Sequence, residues 1–276
     1  MKPGKRRRLA IVGCGAIGSL VARLLEKKKS SFVVTAVFDT YLSSSQALSR
    51  SLKSRPKVCR DLSAIFPHCD MVLEAASPQA AVQVAEASLA KRKPVVMMST
   101  GGFLLNRRRL TLLAERKRTK IYLPSGALGG LDALKAARQI GRLSSVSITS
   151  TKPPRGFEGA PGLTRAQKQK LYKTKKAFYL YKGNVGGAVR LFPANVNVAA
   201  TAALASGYPE KLKVRVMADP KLKFNQHEIK VSGDFGEFTS LARNRPSKQN
   251  PKTSALAIQS ALALFERLEN FVEIGS

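Results

Sequence analysis

The stretch "RLAIVGCGAIGSLVARLLEKK", residues 8–28, decides the fold. Its opening "RLAIVG" is a short apolar run that ends on glycine, as a buried strand does. Ile17, Leu20, Val21, Leu24 and Leu25 then recur at helical spacing and predict an amphipathic helix. Between the two, "GCGAIG", Gly13 to Gly18, fits G-x-G-x-x-G. On a strand-to-helix turn each glycine has a reason: Gly13 makes the tight turn, Gly15 lets backbone approach a pyrophosphate, and Gly18 allows close helix packing. The first helical residues, Ala16 and Ile17, offer N–H groups and the positive end of the helix dipole to phosphate oxygens. Asp39 closes the strand "FVVTAVFD" twenty-one residues after Gly18. A carboxylate there can bond ribose hydroxyls, which favours NAD over NADP without excluding the latter. Cys14, inside the loop, reads as a small filler.

The rest of the first half repeats this alternation and argues for parallel βαβ units. Strands are predicted in "FVVTAVFD", "MVLEAA", "PVVMMST" and "KIYLPS". Helices are predicted in "SSSQALSRSLKS", in "PQAAVQVAEASLAKR" with Pro78 at its start, and in "FLLNRRRLTLLAERKR". Together these five strands and four helices predict an α/β protein with an N-terminal Rossmann domain, a doubly wound parallel sheet, over residues 1–124. The loops "AASPQA" and "STGGF" follow strands, so Ala76, Ser99 and Thr100 join the cofactor-binding candidates on the edge where such sheets take ligands.

From Ser125 the pattern changes. A glycine-rich turn, "SGALGG", leads into a helix; "SSVSITSTK" is expected to be an exposed or half-buried strand, and "PPRGFEGAPGLTRAQKQK" a surface loop. Strands in "AFYLYKG", "KVRVMAD" and "HEIKVSGDFG", with a helix in "NVNVAATAALASG", complete a second α/β catalytic domain with a mixed sheet, residues 125–242. Residues 243–276 end in an amphipathic helix expected to pack back on the first domain.

Composition sets the classes of partner. The chain has 48 Lys and Arg against 17 Asp and Glu, a net charge of +31. Such a field attracts polyanions whatever the fold. The basic clusters Lys5 to Arg8, Arg107 to Arg109, Arg116 to Lys120 and Lys168 to Lys176 are spread along the chain and lack interleaved aromatics for base stacking. Two accounts follow: a basic protein that binds nucleic acid non-specifically, or an enzyme whose surface acids are replaced by Lys and Arg, a known route to solubility. Three cysteines, Cys14, Cys59 and Cys69, show no metal-ligand spacing and only two histidines accompany them. A reduced, cytoplasmic protein with no metal is expected. No apolar run approaches the ~20 residues of a membrane helix, and glycines interrupt the one run near the basic N-terminus, so neither a span nor a cleaved signal is expected.

"SGALGGLDA", residues 125–133, taken with "GCGAIG", "STGGF", "FPANVNVAAT" at 192–201, "NQHEI" at 225–229 and "NPKTS" at 250–254, resembles the L-aspartate dehydrogenase family. The resemblance extends over nearly the whole chain in the same order. It implies reversible, NAD- or NADP-dependent conversion of L-aspartate and water to oxaloacetate and ammonia through iminoaspartate, which can feed NAD biosynthesis. It further implies a homodimer, cofactor contacts at the Gly13 to Gly18 loop, Ala127 and Asn195, and an active-site histidine at His227. The chain departs from the family at Lys182-Gly183 and Arg243-Asn244, where glutamate is usual in the first position of each pair. A dehydrogenase of the same plan for another small amino acid or its semialdehyde is the alternative enzyme.

On position alone, His227 reads as a bland histidine at the edge of a strand. The chemistry asks for more: hydride leaves Cα only after the amine is neutral, and histidine has the unperturbed pKa nearest neutrality. A short polar loop before the strand is expected to present His227 to a cleft. Asn195 and Asn197 are expected to cap a helix, Asp132 to favour a helix dipole, and Thr253 and Ser254 to cap the last helix. Lys252 is a candidate for a substrate carboxylate, and His68 an exposed connector residue.

Overall fold

The computed structural model describes residues 6–139, 141–193, 195–247 and 254–275. Asn250 to Thr253 of "NPKTS", with the expectations for Lys252 and Thr253, lie outside the described residues. The chain divides into two compact units, Met1–Pro124 with Ile258–Glu273, and Ser125–Ala257 with Ile274–Ser276.

In the first unit β1 (Arg7–Val12), α1 (Ala16–Lys27), β2 (Phe32–Phe38), α2 (Leu42–Ser51), β3 (Lys57–Val58), β4 (Met71–Glu74), α3 (Pro78–Ala90), β5 (Val95–Met97), α4 (Thr100–Leu105), α5 (Arg107–Lys117) and β6 (Ile121–Tyr122) follow in order. The sheet runs β3-β2-β1-β4-β5-β6, all parallel. This is the doubly wound order, with the switch point between β1 and β4. Register puts Val12 beside both Phe38 and Glu74, so the residues that follow, Gly13, Asp39 and Ala75, leave the sheet at one edge. Leu9 and Ile11 are fully buried in a core that takes Val21 and Leu25 of α1 fully and Ile17, Leu20 and Leu24 in part, the five residues of its apolar period, together with Ala22. The two-residue β3, which pairs Lys57 with Ala36 just after Pro56, is too short to leave a pattern in the sequence. The single helix expected from Phe103 breaks at Asn106 into α4 and α5; Asn106 turns out of the helical region and its Nδ2 donates to the Gly102 carbonyl.

The second unit holds α6 (Leu131–Ala137), β7 (Leu143–Lys152), α7 (Arg165–Lys173), β8 (Phe178–Asn184), α8 (Val185–Leu191), α9 (Asn197–Ser206), β9 (Lys213–Ala218), β10 (Asn225–Gly233) and β11 (Gly236–Asn244). Its mixed sheet runs β11-β10-β7-β9-β8, with β7 and β9 parallel and the other neighbours antiparallel. "SSVSITSTK" forms the central strand, exposed at its start and buried along its second half, the half-buried of the two alternatives. Two expectations are corrected. The stretch expected as a loop contains α7, started by a capping box in which Thr164 and Gln167 bond each other's backbone N–H. The second is β11, which pairs with β10 through a tight turn at Gly233 to Gly236 and extends the last predicted strand into a hairpin.

The last helix, α10 (Ala255–Glu269), sends Ile258, Ala261, Leu262 and Phe265 into the core of the first unit. Phe265 meets Phe32 edge to face at 4.9 Å, and the Glu269 carboxylate accepts from the Ser31 and Phe32 N–H groups at the start of β2. Among the described residues no helix is long and apolar enough to cross a membrane.

A Cβ at Gly18 would lie 2.0 Å from the Gly13 carbonyl oxygen, whereas one at Gly15 would meet nothing within 4 Å. Gly18→Ala is therefore expected to cost about 2 kcal/mol or more, lowering the melting temperature by roughly 4–8 °C. Gly15→Ala should leave it unchanged. Equal melting temperatures for the two variants in a thermal scan would contradict this packing account.

Candidate active site

In the first unit the glycine loop is shaped by contacts that leave no room for a side chain at Gly13 or Gly18. Gly13 has φ +94°, in the region that favours glycine, and a Cβ there would sit 2.5 Å from the Ala75 carbonyl carbon. Gly15 is exposed and open, with the half-buried Ala16 and Ile17 behind it in the first turn of α1 and Gly18 buried. No described side chain caps α1 and no acid lies in its first turn. Asp39 is half-buried and held: one carboxylate oxygen accepts from Cys14 N–H at 2.7 Å, the other from Tyr41 N–H at 2.9 Å. Burial pushes the Cys14 thiol up to about 12, which keeps it protonated and inert, the filler it was read as.

The adjoining loops are organised by a residue the sequence reading passed over. Glu74, last in β4, is fully buried, and its carboxylate accepts from Ala76 N–H at 2.9 Å, Ser99 N–H at 3.0 Å and Ser99 Oγ at 2.9 Å. Ser99, chosen as a cofactor contact, thus turns its hydroxyl toward Glu74. Thr100 is buried at the start of α4, and Ala76 is half-buried one residue before Ser77. Ser77 Oγ accepts from Ala80 N–H to cap α3.

In the second unit the antiparallel register of β7 and β10 sets His227 opposite Ser150. His227 is the third residue of β10 and 2% exposed, so it stands within the strand and not in a loop before it. Its Nδ1 is 3.0 Å from Ser150 Oγ. Lys152, two residues along β7 and 3% exposed, donates from Nζ to Asn195 Oδ1 at 2.9 Å. Asn195 is 5% exposed and so serves Lys152 rather than capping α9, whose N-cap is Val196. Burial, and then the positive charge of Lys152, push His227 down to about 3; burial alone brings Lys152 down to about 8. At neutral pH the histidine is held neutral beside a cation. Alternation with the buried Val146, Ile148 and Ser150 places Lys152 on the same strand face, the sequence signal that could have found it.

Ala127 is buried, and its carbonyl accepts from Asn244 Nδ2 at 3.1 Å, tying "SGALGG" to the end of β11. Asn225, at the head of β10, is fully buried; its Nδ2 donates to Ser254 Oγ at 3.1 Å while its Oδ1 has no partner among the described residues. It lines a cavity of about 760 Å³ with Arg155, Tyr172 and Lys223 among its walls. The two family departures lie elsewhere. Lys182 is exposed on the edge strand β8 over the Tyr179 ring, and Arg243 is exposed on the other edge strand, donating to Gln226. Asp132 lies in the first turn of α6 as expected, and His68 is half-buried with its Nε2 3.0 Å from Lys57 Nζ.

Comparison with known proteins places this geometry. Residues 132–268 match the family model described as aspartate dehydrogenase, C-terminal, and residues 13–124 match that described as homoserine dehydrogenase, NAD binding domain. An L-aspartate dehydrogenase of Methanosarcina mazei is 37% identical over 98% of this chain and 99% of its own. One of Methanocella arvoryzae is 38% identical with the same coverage. The crystal structure of aspartate dehydrogenase from Thermotoga maritima superimposes with a TM-score of 0.75 at 25% identity, over 98% of this chain and 99% of that one. With a glycine cradle in one unit, a buried histidine and lysine in the other, and relatives matched end to end, this chain belongs to the L-aspartate dehydrogenase family.

Proposed function

We propose that this protein oxidises L-aspartate to iminoaspartate with NAD or NADP, water then giving oxaloacetate and ammonia. The observation that carries the reading is the buried His227, Ser150, Lys152 and Asn195 cluster in a chain matched over its whole length to enzymes of that name. The residues present fit the cofactor: Gly15 leaves open the space a Cβ would fill, and the uncapped α1 awaits an anion. When bound, the nicotinamide supplies the acceptor for the hydrogen leaving Cα. Gly13 to Gly18 hold the pyrophosphate and Asp39 a ribose. Ala76, Ser99 and Thr100 are further candidate contacts, and Ala127 and Asn195 are the contacts that the family resemblance implies.

His227 takes the proton that makes the substrate amine neutral, and Ser150 fixes its ring. Burial first, and the charge of Lys152 second, keep the histidine weakly basic. A substrate carboxylate offsets the lysine's part and so raises the basicity of His227. Lys152 remains anchored by Asn195 throughout.

The protein is read as cytoplasmic and homodimeric. Support for a dimer is the exposed edge strand β11, which presents Leu241; the +31 charge opposes association unless salt screens it. Retention on polyanions follows from the same charge and should fall steeply with salt.

With L-aspartate and NAD⁺ at alkaline pH, His227→Ala should lose turnover by about 10²–10⁴-fold while still binding NAD⁺ in calorimetry. Undiminished turnover would make the histidine structural. The His227 shift also has a stability consequence. Its folded value, about 3, lies below its unfolded value, about 6.5, so its contribution is present above pH ~6.5 and is lost as pH falls toward 3. Glu74 acts in the opposite sense over pH 4.5–7 but is common to both proteins. Urea midpoints between pH 7 and 4 should therefore fall more steeply for the parent than for His227→Asn; parallel curves would refute the buried neutral state.

A further inference from the structure

We propose that Glu74 is a positioning residue for cofactor binding: its buried carboxylate, by accepting from Ala76 N–H, Ser99 N–H and Ser99 Oγ, locks the loops after β4 and β5 in the arrangement that NAD(P) requires. The inference rests on the reading that these loops hold the cofactor.

Two of the three contacts, the Ala76 and Ser99 N–H groups, can only donate, and the Ser99 hydroxyl donates in this arrangement, so the site favours a group that accepts at both oxygens. A carboxylate meets that demand. A glutamine does not, because each carboxylate oxygen faces one backbone N–H and its NH₂ must oppose one of the two, and in a fully buried site a donor left unpaired is costly. The same carboxylate spans two loops that are 25 residues apart in sequence, from Glu74 to Ser99, and both leave the C-terminal edge of the sheet. The main chain repeats the link: Met98 N–H donates to the Glu74 carbonyl at 3.0 Å, and Ala75 N–H to that of Val12 at 2.8 Å. Glu74 thus joins the glycine-loop strand, the "AASP" loop and the "STGG" loop.

Burial pushes the Glu74 carboxyl up to about 7, against the Ser99 and Ala76 bonds that favour its ionised form. Above that pH the three donors are met. Below it the proton turns the Ser99 Oγ bond around, and the two N–H bonds lose the charge that strengthens them, so the lock loosens. Other charges on the packed elements are distant or paired. Arg7 and Arg8 lie at the far end of β1, Arg8 ion-paired with Asp70. Glu86 on α3 pairs with Arg109; β5 and α4 carry none, and His68 precedes the opposite end of β4.

The test is NAD⁺ affinity by calorimetry on the whole protein from pH 6 to 8.5, since the pyrophosphate stays ionised throughout. Glu74→Gln should weaken binding roughly tenfold or more at pH 8, raise KM for NAD⁺ with little change in kcat at saturation, and abolish the loss of affinity that the parent shows as pH falls through about 7. Ser99→Ala, a milder change, removes one bond that favours the ionised carboxyl and should move that midpoint to higher pH; it serves if Glu74→Gln does not fold. Parent affinity independent of pH, or the same affinity and pH profile in the folded variants, would overturn the proposal. A parent that binds no NAD⁺ at all would instead overturn the cofactor reading on which it stands.

Discussion

The clearance between the Gly13 carbonyl oxygen and Gly18 is the constraint on which the first unit depends. With only 2.0 Å between that oxygen and the place a Cβ would take, α1 can lie against its own strand only because residue 18 has no side chain. This close approach brings the first turn of α1 to the sheet edge beside Asp39, and Asp39 in turn bonds the loop at Cys14. Fold and anion site are therefore one steric decision. Gly15, which has no packing duty, is open where a ligand would approach.

A second regularity concerns where the chain buries ionisable groups. Glu74 is the last residue of β4 and Lys152 the last of β7; His227 faces the end of β7 from β10. Burying such groups costs several kcal/mol each even after relaxation, so a sequence with 48 cations free to stay in water has little reason to hide one unless the site uses it. The buried groups act differently. Glu74 holds backbone, Lys152 adds a positive field, and His227 is kept neutral by its burial first and by that field second. The surface charge, by contrast, leaves these sites alone: Lys182 and Arg243 sit on outer strands against Tyr179 and Phe224.

Much of this was legible in the sequence because period and punctuation carry it. The glycine turn, the apolar spacing of α1, and strands alternating with helices predict the doubly wound sheet, and the ordered motifs predict the family. What escaped has physical reasons. The two-residue β3 is shorter than any period, and α7 hides behind prolines and glycines although its Thr164 to Gln167 capping box is readable. Lys152 was passed over because lysine is ordinarily a surface residue, even though alternation placed it with Ile148 and Ser150. Glu74 was passed over inside "MVLEAA", since nothing local reveals that its partners lie in two loops. His227 was found by resemblance, and its burial in a strand, which lowers its basicity, could not be read from composition.

The central claim is that the hydrogen on Cα of L-aspartate passes to the nicotinamide of a cofactor held by this chain. Incubation with L-aspartate deuterated at Cα and NAD⁺, followed by mass analysis of the reduced cofactor, tests it directly. Reduced cofactor carrying the deuterium is the predicted result; no reduced cofactor, or reduced cofactor without the label, would contradict the account.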